Sequence, residues 1–267
     1  MRAYLSVLRL RLINGLQYRA AALAGLATQF FWGFILIMVY EAFYSQVAGP
    51  QPIALRQLIT YIWLQQAFLV LIMFWIRDHE LFNLITSGDI AYELCRPCGL
   101  YGFWFAKLTA QRLSGALLRC FPLLAVAYLL PEPYRLTLPP DPAAFGLFIV
   151  ALLLGLVVVV AISMLIYISV FYTMSPAGSM LFFSVLGDFF AGSIIPIPLM
   201  PEWLQTIAYL FPFRLTADLP FRIYTGHIPW PEALTGILTQ LLWAAVLIGC
   251  GLMVLEKALR RVVVQGG

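Results

Sequence analysis

An all-α integral membrane protein is the fold class this sequence predicts, on three observations. Charged residues make up 10% of the chain and hydrophobic residues 63%, whereas soluble domains carry about 25% charged residues. The mean hydropathy is +0.92. The apolar residues come in runs of the length, about 20 residues, that a helix needs to cross a hydrocarbon core of about 30 Å. Alternating apolar and polar segments of the outer-membrane barrel kind are missing. With 267 residues, roughly six spans fit and no sizeable soluble domain does. The net charge of +4 needs no nucleic-acid partner, because it follows from membrane topology.

The spans are predicted at Ala21–Tyr44, Gln57–Ile76, Leu113–Leu130, Ala143–Thr173, Ala177–Ile195 and Ala233–Glu256. The fourth is longer than a perpendicular crossing needs, so it tilts or projects beyond the bilayer. They make one transmembrane domain over 1–267: an interfacial helix over 1–20, two spans to 76, a loop over 77–112, three spans over 113–195, an outer segment over 196–231, and a last span and tail over 232–267. The first twenty residues are not expected to be a secretory signal, since Arg2, Arg9, Arg11 and Arg19 interrupt them. Leu5, Leu8, Leu12 and Leu16 recur at helical steps, as in an amphipathic helix lying in the membrane interface. A plain basic topogenic tail is the other reading.

Counting basic residues sets the orientation. With the N-terminus inside, the inner segments hold Arg2, Arg9, Arg11, Arg19, Arg77, Arg96, Lys107, Arg112, Lys257, Arg260 and Arg261; the outer ones hold Arg56, Arg135, Arg214 and Arg222. Eleven against four, with Arg119 left inside a span, places both termini in the cytoplasm of a cell inner or plasma membrane.

Arg77 to Pro97 is then the main cytoplasmic loop. Leu81, Phe82, Leu84 and Ile85 give a short helix one apolar side, Asp78 and Glu80 sit where the helix dipole favours anions, and Gly88 can end it. Such a face suits docking into a cleft of a soluble partner, or lying against the bilayer. On the outer side, 196–231 carries prolines at 196, 198, 201, 212, 220, 229 and 231. The apolar run between Pro201 and Pro212 is too short to cross. Pro201 and Glu202 start a helix whose Trp203, Ile207 and Leu210 share a face. A pair of short helices re-entering from outside is expected, with Arg214, Asp218 and Arg222 near the headgroups; an extracellular loop with aromatic anchors is the competing reading.

This order of parts resembles the permease subunit of type-2 ATP-binding-cassette (ABC) exporters over the whole chain. SGDIAYELCRPCGLYGFWFAKL, from Ser87 to Leu108, looks like the family's Gly-(Asp/Glu)-x-x-x-x-Leu-x-Arg-Pro loop. LMPEWLQTIAYLFPFRLTADLPFRIYTG, from Leu199 to Gly226, looks like its outer segment. The resemblance implies a dimer of permease chains, identical or homologous, and two separate ATPase subunits that bind ATP and Mg. It implies a coupling helix carrying Arg77, Asp78, Glu80, Leu81, Phe82, Leu84 and Ile85. It implies an outer gate with Trp203, Ile207, Phe211 and Arg214. The chain lacks a G-x-x-x-x-G-K-[ST] phosphate loop, so it is not expected to be an enzyme, nor to bind a cofactor.

Two charges fall inside predicted spans, where burying an ionised group costs a few kcal/mol or more. Asp188 meets a substrate or cation on the pathway, or pairs with Arg119, which otherwise snorkels to the cytoplasmic side. Gly187, Ala191 and Gly192 allow close helix contact and mark the fifth span as the dimer seam. Gln65 and Gln66 suit bonds between helices, and Phe30, Phe31, Trp32 and Phe34 suit packing or lipid contact. Cys95 and Cys98 form a CxxC without a second pair nearby, so free thiols are expected and no metal site. An ion-coupled secondary transporter using Asp188, and a non-transporting scaffold or immunity protein, stand as alternatives; against the first, the halves of the sequence show no obvious internal repeat such as many such transporters carry.

Overall fold

A computed structural model describes the backbone of residues 2–17, 19–47 and 49–260, and their side chains except those of 2, 3, 15–17 and 19–23. The side chains of Arg2, Leu16 and Arg19, and all of Arg261, lie outside the described residues. Described secondary structure is helical throughout. In chain order the helices are α1 (Arg2–Gln17), α2 (Arg19–Gln46), α3 (Leu55–Ala67), α4 (Leu69–Ile72), α5 (His79–Thr86), α6 (Ile90–Leu94), α7 (Leu100–Leu129), α8 (Pro142–Thr173), α9 (Pro176–Phe190), α10 (Glu202–Leu210), α11 (Asp218–Tyr224) and α12 (Trp230–Leu259). Single 3-10 turns stand at Ile197–Leu199 and Phe213–Leu215.

Four helices among the described residues are long and apolar enough to cross a membrane: Ala24–Gln46 within α2, α7, α8 and α12. This is a helical membrane protein. α8 is its axis. Asp141 caps it by accepting from the Ala144 N–H at 2.6 Å, Pro142 opens its first turn, and an apolar run then continues for 32 residues to Thr173. α12, α11, α7, α9 and the turn at Phe213–Leu215 cover most of it, while Phe145, Ile149, Val150 and Leu153 near its start stay exposed, so it is hydrophobic all round.

Two of the six expected spans are shorter helices. Gln57–Ile76 is divided: α3 ends at Ala67, Phe68 departs from helical geometry, α4 makes one turn, and the chain from Met73 to Asp78 is extended or bent. Ala177–Ile195 becomes α9, whose 15 residues reach about 22 Å, less than a hydrocarbon core. It stops where Gly192 takes φ +78, a conformation that disfavours a side chain, and the Gly192 and Ser193 N–H groups close on the Phe189 and Asp188 carbonyls.

The loop expected over 77–112 is also mostly helix. α7 starts at Leu100, so Lys107 and Arg112 lie within it and are buried. α1 rests on the first part of α7: the Gly99 N–H donates to the Tyr4 hydroxyl at 3.0 Å, and Tyr4 and Val7 pack on the main core. The contact face therefore runs through Tyr4, Val7, Leu8, Arg11 and Leu12, and Leu5 of the expected stripe is exposed.

Candidate functional site

The residues with most chemistry gather where α3, α9 and the 196–231 segment come to the side of α8. At the break after α3, backbone groups lose their helical partners and must find others or remain unpaired in an apolar interior. Arg112, on α7 and 2% exposed, supplies the donors. Its Nη1 donates to the Met73 carbonyl at 2.8 Å and to those of Val70 and Leu71 at 3.4 Å. Its Nη2 donates to the Ser163 hydroxyl at 3.1 Å and to the Ile76 carbonyl at 3.4 Å. Asp188 supplies the acceptor: Phe74 N–H donates to its Oδ1 at 3.0 Å. A cation and an anion from two different helices thus hold the unwound segment from both sides.

This corrects the sequence reading of the membrane charges. Asp188 does not pair with Arg119, whose guanidinium lies against Gly25 of α2: a Cβ there would stand 2.6 Å from Arg119 Cζ. Gly187, Ala191 and Gly192, expected at a seam with another chain, turn inward against the chain's own side chains. A Cβ on Gly187 would come within 2.6 Å of the Phe74 ring, Ala191 is fully buried, and the Gly192 carbonyl accepts from Tyr61 Oη at 3.0 Å. Gln65 donates to the Ser193 carbonyl, which makes it a link between α3 and the end of α9. Side chains of α9 that do face outward are Leu181, Phe182 and Val185.

The segment 196–231 forms a helical pair, α10 and α11, joined through the turn at Phe213–Leu215. That turn lies deep along α8. A Cβ on Gly155 would sit 3.0 Å from the Thr216 carbonyl oxygen and 3.2 Å from that of Leu215, and thirteen residues of α8 at 1.5 Å each put this level about 20 Å from Pro142. Any other residue there would press on that backbone. Gln240 of α12 satisfies the turn, donating through Nε2 to the Leu215 carbonyl at 2.7 Å and the Ala151 carbonyl at 2.8 Å. α11 then climbs back with every residue buried, its Tyr224 ring meeting Phe148 at 5.0 Å.

Asp218 and Arg222 were expected near headgroups, yet Asp218 is fully buried and Arg222 is 8% exposed. They pair at 3.2 Å, and Arg222 also donates to the Tyr209 hydroxyl at 3.0 Å. The pairing is what lets α11 enter the core, because a lone buried charge is far costlier than a matched one. Trp203 and Ile207 on α10, and Phe211 just past its end, are exposed. Arg214 stacks over the Tyr209 ring at 4.0 Å.

At the Thr173 end, α5 is capped by Asp78, whose Oδ1 accepts from the Glu80 and Leu81 N–H groups at 2.9 and 3.4 Å. Its apolar side faces the chain's own core, which corrects the expectation that this side is free for a partner. Leu81, Phe82 and Ile85 are buried, the Phe82 ring lies 4.4 Å from that of Tyr167 on α8, and the Asp78 N–H donates to the Tyr167 hydroxyl at 2.6 Å. Leu84 is half-buried; Arg77, His79, Glu80, Asn83 and Thr86 are exposed. Glu80 accepts from Lys107 at 2.8 Å and from Arg11, tying α5 to α7 and α1. Partial burial pushes the Glu80 carboxyl up, but those two cations outweigh it and hold it below the usual glutamate value. Cys95 and Cys98 are free thiols. Among the described residues no three His, Cys, Asp or Glu side chains gather as a metal site would require. No family model matches the chain, and no curated protein matches it.

Proposed function

We propose that this chain is the permease subunit of a type-2 ABC exporter, crossing a cell inner or plasma membrane six times with both termini in the cytoplasm. The four long helices would be joined as crossings by α3–α4 and α9. Energy would come from two ATPase subunits carrying ATP and Mg, and a second permease chain would complete the pathway for an amphipathic compound, a peptide or a lipid-linked molecule. With the small residues of α9 turned inward, that second chain would meet the outward face of α9 at Leu181, Phe182 and Val185.

The observation that carries this reading is the mounting of α5. A coupling element has to be stiff, and this one is keyed into α8 by Leu81, Phe82 and Ile85 and braced by Glu80 on Lys107 and Arg11. It also continues directly into the unwound segment, where the Phe74 ring stands 5.6 Å from Phe213 of the outer hairpin. A push on α5 would therefore reach the hairpin, with Trp203, Ile207, Phe211 and Arg214 as the outer gate, through one short stretch of chain. The ATPase would grip the exposed polar side at His79, Asn83 and Thr86.

The test is co-purification of the tagged chain with its cognate ATPase. Asn83→Arg with Thr86→Arg is expected to release the ATPase while the permease keeps its thermal stability. Leu81→Asp would instead unfold it, since that side chain is fully buried. Retention of the ATPase by the double variant would remove the coupling assignment, and uphill transport by the chain alone would overturn the exporter reading.

A further inference from the structure

A cleft of about 300 Å³ separates the hairpin from α12, lined by Tyr209, Arg214, Leu219, Thr235 and Thr239 among others. Its buried charges do not pair off. The hairpin carries two guanidinium groups, Arg214 and Arg222, and two carboxylates; Glu202 is exposed at the start of α10, and Asp218, the buried one, is paired with Arg222. Among the described residues no carboxylate stands within ion-pair distance of Arg214, and its Nε is buried without a hydrogen-bond partner. Its neighbour is the face of Tyr209. A guanidinium in such surroundings attracts an anion, because the cost of holding it there unpaired is far larger than in water.

We propose that this cleft binds the oxyanion of an acidic lipid headgroup, held by the Arg214 guanidinium and the Tyr209 hydroxyl. The donor set fits. A guanidinium offers a planar fork to phosphate or carboxylate oxygens. The Tyr209 hydroxyl accepts from Arg222 and has its own proton left to donate. Thr235 and Thr239 spend their hydroxyl protons on the Pro231 and Thr235 carbonyls, so they shape the wall rather than grip the anion. The position fits as well. The cleft runs from Glu232, in the first turn of α12, to Thr239, about 10 Å further along. Beside it Leu238, and below it Leu242, are exposed on the same helix. Arg214 stands at the inner end of the cleft, next to Leu215, whose carbonyl Gln240 holds, so a headgroup drawn in from the rim would meet the cation there while its acyl chains follow the open apolar track. Glu232 on the rim is the one carboxylate of the lining, and it is exposed.

The inference rests on the membrane placement of the chain and is independent of the exporter reading, since it requires neither ATPase nor transport. The full chain, purified in detergent, is titrated with phosphatidylglycerol, phosphatidylcholine or inorganic phosphate, and bound lipid is counted by native mass spectrometry. Phosphatidylglycerol is expected to bind in preference to phosphatidylcholine, and Arg214→Gln to weaken it by about tenfold to a hundredfold, the worth of one charged contact. Thr235→Trp, which fills the cleft from an exposed position without touching the guanidinium, is expected to block binding too, so the test survives if the Arg214 variant folds poorly. Glu232→Gln is expected to bind at least as well as the parent. Equal binding of both lipids, or unchanged binding by Thr235→Trp, would overturn the proposal. So would a loss in Glu232→Gln, because removing a negative charge from the rim cannot weaken the hold on an anion. Inorganic phosphate displacing phosphatidylglycerol at equal concentration would assign the site to a free anion and overturn the lipid source.

Discussion

Replacing Arg112 by Met removes the guanidinium that stands in for a lost turn of helix, while keeping most of the side chain's volume. Two of its bonds are well formed, to the Met73 carbonyl at 2.8 Å and the Ser163 hydroxyl at 3.1 Å; the others, at 3.4 Å, are long. Bonds to charged donors are worth about 1.5–3 kcal/mol each in soluble proteins. Polar contacts between membrane helices average nearer 0.6 and reach about 1.7 kcal/mol, because the separated helices find other partners. Two good bonds and the carbonyls left unpaired put the loss at about 2–4 kcal/mol. At about 2–4 °C per kcal/mol for a chain of this size, thermal unfolding in detergent should fall by about 4–16 °C. Arg112→Lys is expected to recover part of this, since a single ammonium cannot reach both the Met73 carbonyl and Ser163. Arg119→Met is the control. Its guanidinium lies against Gly25 without an ion-pair partner among the described residues, and the change should cost about 0.5 kcal/mol or less. An Arg112→Met protein within 2 °C (roughly 0.5–1 kcal/mol) of the parent, or an equal loss from Arg119→Met, would refute the clamp.

Two further substitutions probe the ends of the fold. Gly155→Leu drives a side chain into the Thr216 and Leu215 carbonyls, which as backbone cannot swing aside; a loss of about 1–3 kcal/mol is expected, with faster tryptic cleavage at Arg214 as the hairpin lifts from α8. Unchanged cleavage would show that the hairpin does not depend on that approach. Glu80 should give α5 an acid limit. A carboxylate whose folded pKa is lowered contributes stability above its ordinary value of about 4.3 and loses it as pH falls through the lower folded value. Cross-linking between cysteines placed on α1 and α5 should therefore weaken at acidic pH in the parent and be weak at all pH values in Glu80→Gln. A parent whose cross-linking did not respond to acid would remove the Lys107 and Arg11 brace from the account.

The long helices were legible because their evidence is local. α8 is expected at Ala143–Thr173 and found at Pro142–Thr173, since nothing polar interrupts the run and Asp141–Pro142 writes its start. The helical pair over 196–231 was legible from prolines and from an apolar run too short to cross. The break after α3 was not, because that stretch contains neither glycine nor proline; its cause is a guanidinium forty residues further along the chain. The positive-inside count absorbed Arg112, Lys107 and Arg222 as topological charges, and moving all three into the core leaves nine against three, so the orientation argument never depended on them. The same limit explains α5 and α9. Periodicity says that Leu81, Phe82 and Ile85, or Gly187 and Ala191, share a side that must be covered. It does not say by what, and for both helices the chain supplies the cover itself: Tyr167 over Phe82, Phe74 over Gly187. What remains outside is polar on α5, and on α9 it is Leu181, Phe182 and Val185. On the proposed reading the two surfaces would take partners of opposite chemistry, a water-exposed protein at one and a membrane helix at the other.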